Sequence, residues 1–564
     1  MTNKKAEQAL AELEAAKRNF GSRVAKVNRA LTSLATSHFA DAGSLIHFHE
    51  TLLFLRAYPP NATTLNLVER ILKSFNQRVV RLVDADADLS ALDNPEVSGI
   101  AGGSVTSNFS YAIVRWLVAK YPGQLSIDWD WFEEEDRFGA TMPRFLPLLE
   151  DDAMVEAHVP FPEWLDAARG RTRQLTWLIQ QFESLPLPDK RKAELYDALK
   201  LHVTWRFGAR ASRTLMLQST RRTFFHDKPL IQRREISISR ELSSSQIPIQ
   251  RLSRREGERI LDLARETSAV RYRELHGFTY GDAQRVLKAE LGRGTEVFVT
   301  GVPPENRLPL RAYHAALVLK NGVPVAYFEG LSICERMESG FNLYYTFRDG
   351  ETAWLYARIL RLMRQLLGVT VFSIDPYQVG HENEEGIESG AFWFYRKLGF
   401  RPVNPALMNL TNAEEQKMSA NAGYRTPART LRKLASGHML FELPGETSKH
   451  WDRFHVRNIG LAVQRRMARD FDGDSQKMRD YSAQFLIRTL KVDAESWTDD
   501  QKSALENLSL VLGMIPGIAK WNSAEKALAA RIIRAKAGAD EAPYLRLMQR
   551  HAALRQALIG FGSK

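Results

Sequence analysis

The spacing of apolar residues changes near residue 295 of this chain. Before that point apolar residues recur mostly at helical spacing, as on one face of an amphipathic helix. Short runs rich in β-branched and aromatic residues then predict strands at 295–302, 313–320, 323–332, 341–347 and 370–375. The pair Asn321-Gly322 between two of these runs predicts a tight hairpin, because Asn and Gly tolerate positive φ. The pattern therefore predicts a sheet inside an otherwise helical protein.

Helical patterns also interrupt and follow the predicted sheet. A long helix over 353–367 separates the last two strands, and a shorter helix over about 388–398 follows them. If the two strands are parallel, the crossover that joins them should be right-handed. The sequence further predicts a helix over 281–291 and a closing strand over 439–443.

The length of the chain, 564 residues, exceeds what one hydrophobic core usually supports, so several domains are expected. The Ser-rich segment 236–249 is typical of a linker. We therefore predict an α+β multidomain protein. A mainly helical N-terminal domain (1–245) and a helical C-terminal domain (446–564) flank a central mixed-sheet α/β domain (246–445).

The charge of the chain indicates which classes of partner it could bind. A formal net charge of +12 permits nucleic acid, an anionic membrane surface or an anionic cofactor. Arginines cluster at 221–222, 233–234 and 251–259, which we interpret as solvated faces, with a nucleic-acid site as the alternative. Cys334, the one cysteine, excludes an internal disulfide. Because no apolar run reaches the ~18–20 residues of a membrane span, we expect a cytoplasmic protein without a transmembrane segment.

Three motifs outside the predicted sheet have both a functional and a structural interpretation. The glycine-containing segment 99–104 is similar to a phosphate-binding loop, but no Lys-Ser or Lys-Thr pair follows it, so a turn into a helix is favoured. The acidic segment 128–136 matches no known cation-ligand spacing. His47 and His49 have no third ligand nearby in the sequence. We therefore predict no metal site.

The last predicted helix contains the run Ala391-Phe-Trp-Phe-Tyr-Arg-Lys-Leu-Gly-Phe400. This run resembles the most recognisable tract of the GNAT superfamily of N-acyltransferases, a helix that ends in Tyr-x-Lys-Leu-Gly-Phe. The predicted hairpin, strand, glycine-containing loop and long helix precede it in the order of that family. The resemblance covers about residues 313–403. It implies a GNAT-like domain that binds acetyl-CoA or another acyl-CoA as co-substrate.

The loop that leads into the 353–367 helix is the part of the resemblance that implies cofactor binding. Free amides at a helix N-terminus attract an anion such as the CoA pyrophosphate. Gly350 allows close approach of the backbone, and Arg348 adds a charge-assisted contact. The alternative is an ordinary turn capped by Thr352. The predicted cofactor-binding residues are Phe347, Arg348, Gly350, Glu351, Thr352 and Ala353.

The same loop departs from the family pattern. Phe347 stands where the family has Gln or Arg, and Thr352 stands where it has Gly or Ala. Glu388 replaces a common Asn before the last helix. Glu351 brings a negative charge to the place that the pyrophosphate should occupy, so we predict weakened cofactor binding.

The resemblance also implies direct attack of an amine on the acyl-CoA thioester. Tyr395 matches the tyrosine that protonates the leaving thiolate in many members, and a phenol pKa near ~10 suits that role. Packing in the core is the alternative role for Tyr395. Glu329 is the candidate general base, with a bound water as the alternative. Three acidic residues of the 381–386 segment are candidates for attracting a cationic amine: Glu382, Glu384 and Glu385.

The function that these residues predict is acyl transfer from acyl-CoA to an amine of a small molecule, a peptide or a protein. One alternative is a catalytically inactive GNAT-fold scaffold or interaction protein. The other is a nucleic-acid-associated protein, which the charge and the arginine clusters favour.

Overall fold

The computed structural model describes residues 3–146, 159–208, 211–443 and 449–563. Strands are labelled in chain order: β1 Ser104–Ser107, β2 Leu125–Ile127, β3 Val203–Arg206, β4 Ile249–Arg251, β5 Leu287–Gly292, β6 Thr295–Thr300, β7 Ala312–Lys320, β8 Val323–Ile333, β9 Arg336–Leu343, β10 Val371–Ile374, β11 Arg401–Pro402 and β12 Met439–Glu442.

The helices of the first half of the described chain are α1 Asn3–Ala16, α2 Val24–Ala35, α3 Ala42–Ala57, α4 Ala62–Lys73, α5 Asn76–Asp84, α6 Tyr111–Lys120, α7 Glu135–Thr141, α8 Phe161–Ala168, α9 Gln174–Ser184, α10 Asp189–Ala198, α11 Ile238–Leu242, α12 Arg254–Ala269 and α13 His276–Thr279. Those of the second half are α14 Thr352–Leu367, α15 Glu384–Glu388, α16 Ala391–Lys397, α17 Pro405–Ala420, α18 Ala428–Leu434, α19 Val456–Phe471, α20 Ser475–Leu490, α21 Asp499–Leu512, α22 Ser523–Lys536, α23 Ala542–Arg550 and α24 Ala552–Gly562. No helix of these described ranges is long and apolar enough to cross a membrane.

Nine strands form one mixed sheet, in the order β11-β12-β10-β9-β8-β7-β6-β5-β4. Strands β4 to β9 pair antiparallel in sequence order, whereas β9 and β10 are parallel and α14 connects them. The last strand, β12, inserts between β10 and β11 and pairs antiparallel with both. The molecule is therefore α+β with a central mixed sheet and helical flanks, as the sequence predicts at that level.

The parallel pair separates soon after it begins. Only 336–338 of β9 pair with 371–373 of β10, although β9 continues to Leu343. The second half of β9 remains paired with β8, which keeps it in the sheet. The two parallel strands therefore diverge, and they leave an opening on the β10 side of β9.

Local sequence signals explain much of this core. The predicted hairpin is confirmed: Asn321 and Gly322 have φ of 48° and 80° and join β7 to β8. The predicted long helix is α14, and Gly368 at φ 75° ends it in the left-handed conformation that glycine favours. The predicted closing strand over 439–443 is β12.

Other predictions from the pattern are wrong. Residues 281–291 were expected to be helical, but their second half belongs to β5. The strand expected at 341–347 begins earlier, at Arg336, and residues 345–347 form a 3₁₀ turn. The polar residues of 336–340 hid this strand, because sheet pairing rather than apolar alternation defines it.

The helical flanks are not uniformly helical. The N-flank, the described residues up to 245, contains a small antiparallel sheet in the order β1-β3-β2. The expected turn at 99–104 accordingly leads into β1 before α6 begins at Tyr111. The expected linker 236–249 contains α11, whose Glu241 pairs with Arg358 of α14 at 2.6 Å. It is therefore packed structure and not a free linker.

The N-flank and the C-flank (449–563) bind opposite ends of the sheet. At the β7–β8 turn, the Asn321 amide donates to the Ala57 carbonyl of the N-flank at 2.9 Å. At the β8–β9 turn, the Gln549 amide of the C-flank donates to the Cys334 carbonyl at 3.0 Å. Because α14 runs between these ends, its N-terminus lies beside the N-flank and its C-terminus beside the C-flank.

Candidate functional site

The opening between β9 and β10 is the floor of a cleft of about 800 Å³. Residues from the end of β9, the start of α14, the 3₁₀ turn Pro376–Val379 and α16 surround it. Side chains from β8 and from the N-flank complete its walls. The cleft is therefore built where the parallel strands separate, from segments that are distant in the sequence.

The N-terminus of α14 opens into this cleft. The first hydrogen bond of the helix joins the Leu355 amide to the Glu351 carbonyl at 2.9 Å. By helix geometry, the amides of residues 352–354 have no acceptor within the helix. Four of the predicted cofactor-binding residues line the cleft here: Arg348, Gly350, Thr352 and Ala353. The geometry thus offers free amides and the positive end of a helix dipole to an anion.

The side chain of Glu351 does not face the cleft, contrary to the sequence prediction. It is 1% exposed, and its carboxylate pairs with Arg293 at 2.5 Å and with Lys320 at 3.1 Å. The backbone amide of Ile231 also donates to it at 3.1 Å. Burial lowers the pKa of Lys320 to about 8, against the charge of Glu351. The negative charge that was expected to repel a pyrophosphate is therefore neutralised in the core.

Phe347 is also placed differently from the prediction. Its side chain is buried and contributes to a small internal cavity beside Val323 and Arg271, outside the cleft. A phenyl ring at this position serves the packing of the loop against the N-flank. Neither Phe347 nor Glu351 can then contact a ligand in the cleft through its side chain.

Gly350 is required for a reason other than ligand approach. A Cβ at this position would lie 2.5 Å from the Tyr58 hydroxyl and 2.9 Å from the Phe347 carbonyl. The glycine therefore makes room for a buried N-flank tyrosine that packs against the loop. The structure thus gives Gly350 a packing role that the sequence did not predict.

Arg348 is held by two carboxylates. Its guanidinium pairs with Glu385 of α15 and with Glu96 of the N-flank, the latter at 3.3 Å. The neighbouring Asp349 pairs with Lys17 at 2.9 Å. A ligand anion would compete with these carboxylates for Arg348, so the predicted charge-assisted contact is not freely available.

Tyr395 is buried at the wall of the cleft. Its ring packs edge-on against Tyr356 and Phe400, with centroids 5.6 Å away in each case, and its side chain lines the cleft. Within the described ranges its hydroxyl has no hydrogen-bond partner. Burial raises the pKa of Tyr395 above the usual value, so the phenol keeps its proton at neutral pH.

Glu329 faces the same cleft from the middle of β8. The Tyr313 hydroxyl donates to its carboxylate, and the Gly277 amide donates to that hydroxyl at 3.0 Å. This chain of hydrogen bonds fixes the position of the carboxylate. The cleft therefore brings together Glu329 and Tyr395, the predicted base and acid.

The acidic residues of the 381–386 segment have separate environments. Glu385 lines the cleft but is paired with Arg348, and Glu384 pairs with Arg432 of α18 at 2.7 Å. Glu382 is exposed, with a left-handed φ of 53°. None of the three offers an unengaged carboxylate inside the cleft.

Several cleft residues were not predicted. Arg18, Phe20 and the segment 229–233 reach the cleft from the N-flank, and Arg273 reaches it from the end of α12. Tyr327 was within reach of sequence reasoning, because it shares a strand face with Glu329 at the two-residue period of β8. The N-flank residues carry no such signal, because their placement depends on tertiary packing.

Comparison of the chain with models of known protein families, with curated proteins and with solved structures found no match. Within the described residues no group of three or more His, Cys, Asp or Glu side chains is arranged to hold a metal ion. His49 is buried and bonded to Glu50 and Thr214, each at 3.0 Å. The interpretation of the site therefore depends on its own geometry.

Proposed function

We propose that this protein is a GNAT-like N-acyltransferase that transfers an acyl group from an acyl-CoA to an amine. The observation that supports the proposal most is the set of groups that line one cleft. It contains the free N-terminus of α14, the Tyr395 hydroxyl and the Glu329 carboxylate, at the point where two parallel strands diverge. The order of hairpin, strand, loop, long helix and parallel strand also agrees with the resemblance over 313–403.

The cleft suits an anionic acyl-CoA in size and charge. Its lining has a net positive charge even before the helix dipole is counted. The charged residues are four arginines and three carboxylates: Arg18, Arg233, Arg273, Arg348, Glu329, Asp349 and Glu385. The free amides at residues 352–354 would hold the pyrophosphate. The N-flank side chains beside them, Arg18 and Phe20, would contact the same part of the co-substrate.

In the proposed reaction Glu329 takes a proton from the acceptor amine, directly or through a water. The amine nitrogen forms a bond to the thioester carbonyl carbon, and the carbon–sulfur bond breaks. Tyr395 then gives its proton to the departing thiolate. Its lack of a hydrogen-bond partner in the described chain leaves the hydroxyl free to point at that sulfur, although burial raises its pKa and so makes it a weaker proton donor than a free phenol.

Calorimetric titration with acetyl-CoA and a longer acyl-CoA tests the binding half of the proposal. Thr352→Glu places a negative charge at the start of α14, where it favours the helix but opposes an anionic ligand. Thr352→Gln is the neutral control of the same size. We expect saturable binding that weakens at least about tenfold in Thr352→Glu and much less in Thr352→Gln. Equal affinity in both variants would contradict binding at this helix.

Turnover with an amine panel tests the chemical half. Tyr395→Phe should lower kcat by about 10²- to 10⁴-fold and leave acyl-CoA affinity nearly unchanged. Tyr377→Phe is the matched control, because Tyr377 lines the same cleft but is exposed. Unchanged kcat in Tyr395→Phe would remove the acid role from this residue.

A catalytically inactive scaffold is the second candidate. The observation that favours it is the engagement of Arg348 by Glu385 and Glu96, which occupies the one arginine of the loop. Absence of acyl-CoA binding in the titration, with normal folding, would favour this candidate. Retained binding without turnover of any amine would also point to it.

A further inference from the structure

Arg273 reaches the cleft because of the way α12 ends. Tyr272 has a left-handed φ of 56°, and its amide donates to the Ala269 carbonyl at 3.0 Å. The Arg273 amide donates to the Ser268 carbonyl at 3.1 Å. This pair of bonds is a Schellman motif, which reverses the chain at a helix C-terminus. The backbone of Arg273 is therefore fixed, and its side chain enters the cleft from a rigid element.

The guanidinium of Arg273 is partly buried, and it makes no ion pair in the part of the chain that the structure describes. Its Nη1 donates to the Tyr327 hydroxyl at 3.1 Å. The other arginines of the cleft differ: Arg348 is paired with two carboxylates, Arg18 is exposed beside Asp349, and Arg233 is exposed. A partly buried cation without a carboxylate is costly unless an anion joins it.

The carboxylates around Arg273 in the described chain, Glu96, Glu329 and Glu385, accept hydrogen bonds from other side chains. Glu96 and Glu385 influence it electrostatically, but both carboxylates are bonded to Arg348. Tyr327 accepts from it as a neutral phenol, because burial raises the pKa of Tyr327 to about 12. The guanidinium therefore keeps donors that the described residues leave unused.

Glu329 lies on the same strand face as Tyr327, the residue that accepts from this guanidinium, and both Glu329 and Arg273 line the cleft. Tyr327 and Glu329 are two residues apart on β8, so they lie on one strand face, about 6–7 Å apart along the strand. One end of the cleft thus presents a carboxylate, which attracts an ammonium group, beside a guanidinium, which attracts a carboxylate. A molecule with both groups matches this arrangement.

We infer that the acceptor is an amino carboxylate, whose carboxylate is bound by Arg273 while its amine is presented to Glu329. The inference rests on the proposed acyl transfer and adds the class of its acceptor. Arg273 acts as a specificity-determining residue and takes no part in proton transfer. A free amino acid offers this pair of groups, and so does a peptide with an acidic residue beside its N-terminal amine.

The test compares pairs of acceptors that differ only in the carboxylate. Glycine, β-alanine and 4-aminobutyrate are each paired with their carboxamide, and a peptide with Asp at its second position is paired with the Asn peptide. Binding to the full chain is measured by calorimetry with and without acyl-CoA, and KM and kcat are measured where turnover occurs. The variants are Arg273→Gln and Arg273→Lys. Arg259→Gln is the control, because Arg259 is an exposed arginine on α12, the helix that precedes Arg273.

We expect the carboxylate member of at least one pair to bind about tenfold to a hundredfold more tightly than its amide. Arg273→Gln should remove that preference by raising KM and not by lowering kcat, and Arg273→Lys should restore part of it. Arg259→Gln should leave it intact. A preference confined to the peptide pair assigns the carboxylate to a polypeptide acceptor.

The inference is overturned if no pair shows a preference, or if Arg273→Gln, folded as judged by its thermal unfolding, keeps it. These results are distinguishable from failure of the proposed function. Acyl-CoA binding without any carboxylate preference would contradict only the inference about the acceptor and not the acyltransferase proposal. If the protein binds no acyl-CoA but still shows a carboxylate preference that depends on Arg273, the acyltransferase proposal is wrong and the cleft is an amino-carboxylate binding site.

Discussion

The N-flank and the C-flank both form hydrogen bonds with turns of the central sheet, but within the described ranges only the N-flank contributes side chains to the cleft. The N-flank sends Arg18, Phe20 and the segment 229–233 into the cleft. The C-flank contributes no side chain to the cleft in the described part of the chain. It binds the other end of α14, where Arg546 donates to the Leu366 carbonyl at 2.8 Å and Gln549 donates to the Leu367 carbonyl at 3.0 Å.

The two ends of α14 explain this difference. At its C-terminus the orphan carbonyls of residues 365–367 accept hydrogen bonds from side chains of α23. At its N-terminus Thr352 and Ala353 line the cleft beside N-flank residues such as Arg18 and Phe20. The C-flank therefore has a structural role at this helix, whereas the N-flank helps to form the site.

The largest effect should come from the charge cluster that ties the N-flank side of α14 to the sheet. Glu351→Gln leaves Arg293 and Lys320 without their buried carboxylate, which should lower the free energy of unfolding by about 3–5 kcal/mol. Urea unfolding measures this loss. Glu415→Gln is the control: it breaks a partly exposed pair with Arg396 and should cost about 1 kcal/mol or less. Similar losses in both would show that the Glu351 cluster does not anchor the helix.

The matching change where the sheet contacts the C-flank should affect stability but not binding. Glu335 accepts from the Trp451 indole at 2.7 Å and from Arg555 Nε at 2.8 Å. Glu335→Gln should cost about 2–3 kcal/mol, because these are charge-assisted bonds at a nearly buried site. Acyl-CoA affinity, titrated well below the unfolding temperature, should stay the same. A clear loss of affinity would contradict the purely structural role of the C-flank, because it would show that the C-flank is coupled to the cleft.

Acid should weaken an ion pair in each flank. The hydrogen bond from His47 and the charge of Lys17, against partial burial, lower the pKa of Glu14 to about 2 from the usual 4.5. Stability from a depressed carboxyl pKa is fully present above pH 4.5 and is lost as pH falls toward 2. The advantage of the wild type over Glu14→Gln, about 1 kcal/mol after solvent screening, should therefore shrink across that range.

Asp540 provides the C-flank counterpart. Burial raises its pKa, but the ion pair with His314 at 3.8 Å and the hydrogen bond from the Ala542 amide at 2.7 Å outweigh burial and lower the pKa to about 2. The stability advantage of the wild type over Asp540→Asn, measured in the same pH series, should also shrink as the pH falls. An advantage for either carboxylate that grows as pH falls would contradict the assigned ion pairs.

The smallest effect should come from an exposed arginine at the mouth of the cleft. Arg18 is 59% exposed and lies 3.7 Å from Asp349, so Arg18→Gln should weaken acyl-CoA binding by only about two- to fivefold, and less at high salt. Arg469→Gln, at an exposed C-flank arginine paired with Asp470, is the control and should change nothing. An equal loss of acyl-CoA affinity in both variants would mean that the net charge of the protein, and not the position of Arg18, affects binding.

Local chemistry in the sequence determined much of the central fold. Asn321-Gly322 specified the hairpin, and apolar residues at helical spacing specified α14. The run that ends in Leu398-Gly399-Phe400 placed Tyr395 correctly on its helix. These signals act within a few residues, because turn conformation and periodicity depend on the backbone and on near neighbours.

The environment of each site residue was decided only by the tertiary structure. Glu351 turns away from the cleft because it pairs with Arg293 of the β5–β6 turn and Lys320 at the end of β7, 58 and 31 residues earlier in the chain. Gly350 is needed because of Tyr58, and Arg273 meets Tyr327 only across the folded sheet. Charge pairing and steric fit depend on distance in space, so the sequence named most of the loop residues but could not say which of them face a ligand.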